Sequence, residues 1–214
     1  MMQIISINVA MPKTVEINGG SVLTAIYKEP VANSVWLGKL GLTGDGQADL
    51  TVHGGEHQAV YSYPYEHYQH WQNRLNTTPL RLGTFGENFT VSGLFESEIC
   101  VGDILSIGEA MVQVTMPRIP CFKFGHKISH PEILDEFLRS GKSGFYQRVL
   151  TEGYVKVGDQ INLVARDTNQ ISIRTALGLQ KLDEGDATLL EQALKIQSLA
   201  PLLKDIFEKR LSAR

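Results

Sequence analysis

Only two cysteines occur in 214 residues. That is too few for a disulfide framework, and an all-cysteine iron–sulfur cluster needs four thiolates. One of them, Cys100, sits in the apolar run Ile99-Cys100-Val101, and the other, Cys121, follows a proline, so the two do not read as a bridged pair. Long hydrophobic runs are missing as well, and none approaches the ~20 residues of a membrane-spanning helix. The opening residues Met1-Met2-Gln3-Ile4-Ile5-Ser6 lack the basic region of a secretory signal. Charge of either sign is not in excess: 20 Lys+Arg against 23 Asp+Glu give a net charge of −3 and a pI near 6.1. This balance offers no general attraction to nucleic acid or anionic lipid. Neither a P-loop nor a GxGxxG dinucleotide fingerprint is present. A cytoplasmic location, with no nucleic-acid or membrane partner, is the expectation.

At 43% hydrophobic residues the chain can bury a full core. Up to about Ala165 that material is arranged as short β-branched and aromatic runs separated by glycine turns, which predicts a mainly β fold. The runs are Gln3–Val9, Ser21–Tyr27, Val60–Tyr63, Asn88–Val91, Ile104–Ile107, Ala110–Thr115, Phe145–Val149 and Gln160–Val164, and Asn18-Gly19-Gly20 is one of the turns. Many short strands with few helices point to a closed or nearly closed antiparallel barrel. Peripheral helices are predicted over Pro64–Leu75, with Tyr65, Tyr68 and Trp71 on one face, and over Pro131–Arg139. His67 and His70 read as a solvated helix face, and the tyrosines as packing. From 170 to 214 the pattern becomes helical, with Asp186 as an N-cap and Leu202, Leu203, Ile206 and Phe207 facing inward. Residues 1–169 are therefore expected to form the β domain and 170–214 a small helical extension. The extension is too short to stand alone; it packs on the β domain or on a partner chain, which allows a homodimer.

The chemistry concentrates around Met116-Pro117-Arg118-Ile119-Pro120-Cys121-Phe122-Lys123. Two prolines fix φ near ~−65° and remove backbone donors, so this reads as a rigid extended loop. Arg118 and Lys123 flank the thiol and favour the thiolate, the form that attacks electrophiles or binds soft metals. His53-Gly54-Gly55 reads either as a hairpin turn or as an anion-binding turn whose N–H groups have no Cβ in the way. His53 and His57 have a metal-pair spacing, but the glycines between them break a helix and no HExxH is present, so zinc is not expected. In Gly83-Thr84-Phe85-Gly86-Glu87-Asn88, Gly86 permits close approach, Glu87 offers an acceptor, and Asn88 an amide that donates and accepts. Arg148, between apolar neighbours on a strand, either reaches outward or holds an anion.

Taken in order, Gly-Asp-Gly-Gln-Ala-Asp (44–49), His-Gly-Gly (53–55), Ala-Val-Tyr-Ser-Tyr-Pro (59–64), Gly-Glu-Asn (86–88), Gly-Asp-Ile (102–104), Pro-Arg-Ile-Pro-Cys (117–121) and Arg-Val-Leu (148–150) resemble the MOSC family, the domain also found in molybdenum-cofactor sulfurases. The tail resembles the three-helix extension of its stand-alone bacterial branch. The resemblance implies a β-barrel and binding of the molybdenum cofactor, a molybdopterin whose dithiolene holds the metal. It implies that Cys121 is the metal ligand and catalytic residue, with His53, Gly54, Gly55, Gly86, Asn88, Arg118, Lys123 and Arg148 binding the cofactor. A family-level association with pyridoxal phosphate comes with it. The implied activity is reduction of N-hydroxylated compounds such as 6-N-hydroxylaminopurine, a small-molecule substrate. The alternative is a non-catalytic carrier of cofactor or sulfur that uses a Cys121 persulfide. The family pattern more often has an acidic residue where His57 stands. A reductase with no cluster and no dinucleotide motif must draw its electrons from a separate protein, for which a flavoprotein is the expected partner.

Overall fold

The computed structural model describes residues 1–48, 54–77, 79–180 and 186–213. Its strands are β1 (Gln3–Val9), β2 (Lys13–Ile17), β3 (Gly20–Thr24), β4 (Glu29–Val31), β5 (Val35–Gly38), β6 (Gly41–Leu42), β7 (Val60–Pro64), β8 (Phe89–Ser92), β9 (Ile104–Ile107), β10 (Ala110–Pro117), β11 (Phe145–Thr151), β12 (Gly153–Val155) and β13 (Ile161–Ala165). The helices are α1 (Tyr68–Leu75), α2 (Phe122–Ile128), α3 (Ile133–Ser140), α4 (Ile173–Gly178), α5 (Ala187–Leu194) and α6 (Pro201–Ser212). The chain is thus mostly β with a few helices.

Eight strands form one sheet in the order β13-β9-β10-β11-β7-β8-β1-β4. No ladder among the described residues closes this sheet into the expected barrel. Instead, β1, next to the end strand β4, meets the residues just before β13 and the start of β13 itself through an isolated Gln3–Gln160 bridge, with Ile4 N donating to Asp159 O at 3.0 Å, Gly158 N to Ile4 O at 2.9 Å and Ile161 N to Met2 O at 2.9 Å. Nor is the sheet wholly antiparallel, because β7 and β8 run parallel. Parallel neighbours need a crossover, and α1 lies in the one between them. That helix is shorter than its sequence pattern suggests: Pro64 ends β7, and Tyr65–His67 is a 3-10 turn. Tyr65 is consequently exposed, while Tyr68 and Trp71 are buried. The Asn18-Gly19 turn joins β2 to β3 with φ of 52° and 77°, the two-residue hairpin geometry that favours Asn-Gly.

Two apolar clusters result. An aromatic one, with Tyr61, Tyr63, Trp71, Phe85, Phe124 and Phe137, fills the space between β7 and helices α1–α3. The other fills the sheet interior and continues without a break into the tail, joining Val112 and Val114 of β10 to Ala176, Leu190, Leu203 and Phe207. Backbone bonds tie the two together: Val101 N donates to Ile171 O and Ile173 N to Ile99 O, both at 2.9 Å. Asp186 caps α5, accepting from Thr188 N at 2.8 Å. Leu202 faces outward, against the sequence expectation, because Leu203 and Phe207 take the inward stripe of α6. No helix among the described residues is long and apolar enough to cross a membrane.

Since Phe207 is fully buried in the shared core, Phe207→Ala is expected to cost about 3–5 kcal/mol in urea unfolding. The loss should appear within a single cooperative transition. A separate early transition, with the β domain unaffected, would show that the tail folds apart from it.

Candidate functional site

Strand β10 carries the chain toward the site. It pairs with β11 as far as Pro117, opposite Phe145, where a proline removes only a terminal ladder donor. The extended loop is therefore shorter than its sequence implies. It covers Arg118 to Cys121, and Phe122 already begins α2, which places Lys123 on the helix. Cys121 is extended (φ −121°, ψ 170°), half-buried, and accepts Phe124 N on its carbonyl at 2.9 Å.

Arg118 is 4% exposed. Its guanidinium carbon lies 4.7 Å from the ring centre of Phe124, 5.2 Å from Tyr61 and 5.6 Å from Phe137. Burial pulls its pKa down, but Tyr61, Tyr146 and Cys121 push harder the other way, so it stays above the ordinary arginine value and charged. Nη1 is buried with no hydrogen-bond partner among the described residues. An orphaned, fully desolvated donor of this kind costs about 1–3 kcal/mol until a ligand meets it.

Arg118, Cys121, Lys123, Gly86 and Asn88 border one cavity of about 100 Å³, so five of the nine sequence-nominated residues are brought together. Gly86 has φ +79°, and a Cβ there would stand 2.8 Å from Ile26 Cγ1, on the cavity wall. Asn88 is bonded into the cavity wall. Its Oδ1 accepts Tyr61 N at 3.1 Å and its Nδ2 donates to Asp45 Oδ2 at 2.8 Å. Glu87 is turned away, accepting Gly83 N and Thr90 Oγ1 on Oε1 at 3.0 and 2.8 Å.

The remaining nominations are His53, Gly54, Gly55 and Arg148. His53 falls outside the described residues. Gly54 and Gly55 do not border the cavity, and the Gly55 N–H that was to face an anion donates to Gln47 Oε1 at 2.8 Å. Arg148 does not reach it either, because its Nε and Nη2 donate to Gln113 Oε1 on β10 at 3.0 and 2.7 Å. His57, on the 3-10 turn Glu56–Gln58, has its pKa lowered by burial and then by Arg148. His67 is buried, not solvated: Nε2 sits 2.8 Å from Glu96 Oε2. His70 is exposed, as expected.

Sequence reasoning missed Lys28, Tyr61 and Tyr146, which complete the cavity wall. The tyrosines looked like packing because they also pack, their rings 5.2 Å apart. Lys28 had no local signal at all. Lys127 was missed too. Its Nζ donates to Ile26 O and Gly83 O at 2.7 Å, and burial, reinforced by Arg118 and Lys28 and opposed by Glu87, lowers its pKa to about 8.

A profile of the MOSC domain matches residues 49–162, more than half of the chain. The chain belongs to the MOSC family. The uncharacterized protein YflK of Bacillus subtilis is 39% identical over 207 residues, covering 97% of this chain and 93% of YflK. A protein of Gibberella moniliformis named "Reductase" is 30% identical over 90% of this chain, which spans only 35% of that longer protein. The crystal structure of YiiM from Geobacillus stearothermophilus superimposes with a TM-score of 0.83 at 37% identity, covering 99% of this chain and all of that one. The match extends through the tail, whose three helices are therefore part of the YiiM-like fold.

MOSC domains are associated with the molybdenum cofactor, and the residues of this MOSC protein fit such a group. Among the described residues no set of three His, Cys, Asp or Glu could hold a bare metal ion. A cofactor that brings its own dithiolene sulfurs requires little more than one thiolate from the protein, and Cys121 borders the cavity. The orphaned Arg118 Nη1 supplies the donor that an anionic ligand would need.

Lys127 gives a pH signature to this region. Its folded-state pKa of about 8 lies below its ordinary 10.5, so the unfolded chain binds more protons between those values. Stability should therefore rise as pH goes from about 8 to about 10.5, by roughly 2–3 kcal/mol, and the gain is lost as pH falls back through 8. Urea midpoints measured across that range, against Lys127→Met, check it; the variant should show a clearly smaller rise, that of the similarly buried Lys28 remaining.

Proposed function

We propose that this MOSC protein is a molybdenum-cofactor-dependent reductase of N-hydroxylated compounds such as 6-N-hydroxylaminopurine, with Cys121 as the protein's ligand to the metal. The observation that carries the reading is the pairing of a half-buried thiol with a caged guanidinium whose Nη1 has no partner, both on one cavity. When bound, the cofactor would supply a metal centre able to deliver two electrons to an N–O bond. The chain's own residues do the rest. Arg118 favours the thiolate at Cys121 and meets the negative charge of the ligand. The rings of Tyr61, Phe124 and Phe137 keep water from the guanidinium, which strengthens both interactions.

The name of the fungal relative agrees with a reductive chemistry. Two cysteines and no dinucleotide fingerprint leave this chain without its own electron source. The electrons then come from a separate protein, for which a reduced flavoprotein is the fitting class.

Expressed in a host that makes the cofactor, the wild type should carry close to one molybdenum and one pterin per chain. Cys121→Ala should lose the metal and the reduction of 6-N-hydroxylaminopurine, with a thermal transition close to that of the wild type. Arg118→Gln should weaken cofactor retention by about 1–3 kcal/mol through the lost charge-assisted bond. Sulfane sulfur on Cys121 with no metal would replace the reductase by a sulfur carrier. Full turnover in Cys121→Ala would remove the thiol from the mechanism.

A further inference from the structure

Lys28, between β3 and β4, borders the same cavity as Cys121 and Arg118. Its side chain is only 9% exposed, and its Nζ pairs with Asp45 Oδ1. Asp45 is fixed independently of that pair. Its Oδ1 also accepts Ala10 N, and its Oδ2 accepts Asn88 Nδ2, each at 2.8 Å. An ammonium has three N–H donors, and Asp45 takes one, which leaves two for whatever enters the cavity. The cavity is about 100 Å³, and Cys121 and Lys28 both border it.

The electrostatics suit proton donation. Burial lowers the Lys28 pKa, and Asp45 and Glu87 oppose that shift without cancelling it. The ammonium is thereby moved toward neutral pH, where a general acid works best. Arg118, Tyr61 and Tyr146, which also border the cavity, serve less well: Arg118 holds its proton too tightly, and burial raises the two hydroxyls. A merely structural partner for Asp45 would be met equally by arginine, which makes the identity of this cation testable.

We propose that Lys28 is the catalytic acid of the pocket, giving its Nζ proton to the oxygen that leaves an N-hydroxylated ligand held beside Cys121. This inference rests on the reductase reading above. In the step, the N–O bond would break with two electrons drawn from the reduced flavoprotein, and a bound cofactor would supply the redox centre that accepts them. The departing oxygen, already carrying its own hydrogen, takes the Lys28 proton and leaves as water. The nitrogen takes a second proton from solvent and leaves as the amine. Lys28 remains as a neutral amine on the Asp45 carboxylate until water at the cavity mouth reprotonates it. The sum is one hydroxylamine, two electrons and two protons giving one amine and one water.

Lys28→Arg is the decisive variant, since it keeps the charge and the Asp45 pair but cannot release its proton near neutral pH. Molybdenum per chain, the thermal transition and KM should match the wild type, while kcat falls at least about 100-fold. Should arginine not fit, the double variant Lys28→Met with Asp45→Asn removes both charges together and should show the same loss of kcat at unchanged metal content. A readout independent of turnover is trace acetylation of cofactor-free protein, followed by peptide mass spectrometry across pH. Lys28 should react with a midpoint below that of the exposed Lys156. Wild-type kcat in Lys28→Arg, or an acetylation midpoint equal to that of Lys156, overturns the inference and leaves the reductase reading standing. Wild-type protein with neither molybdenum nor turnover overturns both.

Discussion

A guanidinium has been taken out of water at Arg118 and surrounded by aromatic faces instead of carboxylates. Removing a cation from water is expensive, and cation–π contacts return only part of that cost, about 1–2 kcal/mol each when desolvated. The architecture around it makes sense as the support for this one charge. The crossover that holds α1 makes β7 and β8 parallel and brings Trp71 and Phe85 into the aromatic cluster. Helices α2 and α3 contribute Phe124 and Phe137 to the same cluster and to the cage itself. A fold does not assemble such a cage around an arginine with an unmet donor for stability alone, because a hydrophobic residue would pack there at lower cost. The cage thereby supports the proposed reading of the cavity as a site for an anionic ligand.

The charge pattern at the cavity leads to the same conclusion from another direction. Among the described residues, Arg118, Lys28 and Lys123 border it against one carboxylate, Asp45, which is already engaged by Lys28, Ala10 N and Asn88. The chain as a whole carries −3, so the positive character is local and does not follow from composition. Low dielectric inside the cavity makes these few cations count for more than the larger number of acidic groups spread over the surface.

Much of this could be read from the sequence, and the misses share a cause. Strands β1 and β9 fall where the runs Gln3–Val9 and Ile104–Ile107 placed them, and the Asn18-Gly19 turn and the Asp186 cap hold. Each of these is specified by neighbours in the chain. Whatever is decided across the chain was harder to see. The parallel β7–β8 pair, the open ends of the sheet, and the burial of His67 against Glu96 all depend on partners 27 to 29 residues away or more. The site divides along the same line. Arg118, Cys121 and Lys123 were legible because they share one short segment. Lys28 and Tyr146 reach the cavity from separate strands or loops, with nothing local to mark them. Asn88 and Gly55 were legible as polar or permissive residues, but their bonds to Asp45 and Gln47, which also cross the chain, were not.

The helical tail bears on the site through one strand. Ala200 N donates to Thr115 O at 3.3 Å, and Thr115 Oγ1 donates to His57 O at 2.6 Å. Thr115 stands three residues before Arg118 on the strand that leads to Cys121, and His57 precedes Gln58, which borders the cavity. The tail, the strand that delivers the thiol and the turn that forms part of the wall are therefore held in one hydrogen-bonded chain. Its burial in the same core, through Leu203 and Phe207, makes that chain stiff. A caged cation with an unmet donor tolerates little displacement, since its cage works only over a few tenths of an ångström of contact distance. On this view the extension acts as a buttress for β10, and its place in the fold follows from the rigidity that Arg118 and Cys121 require.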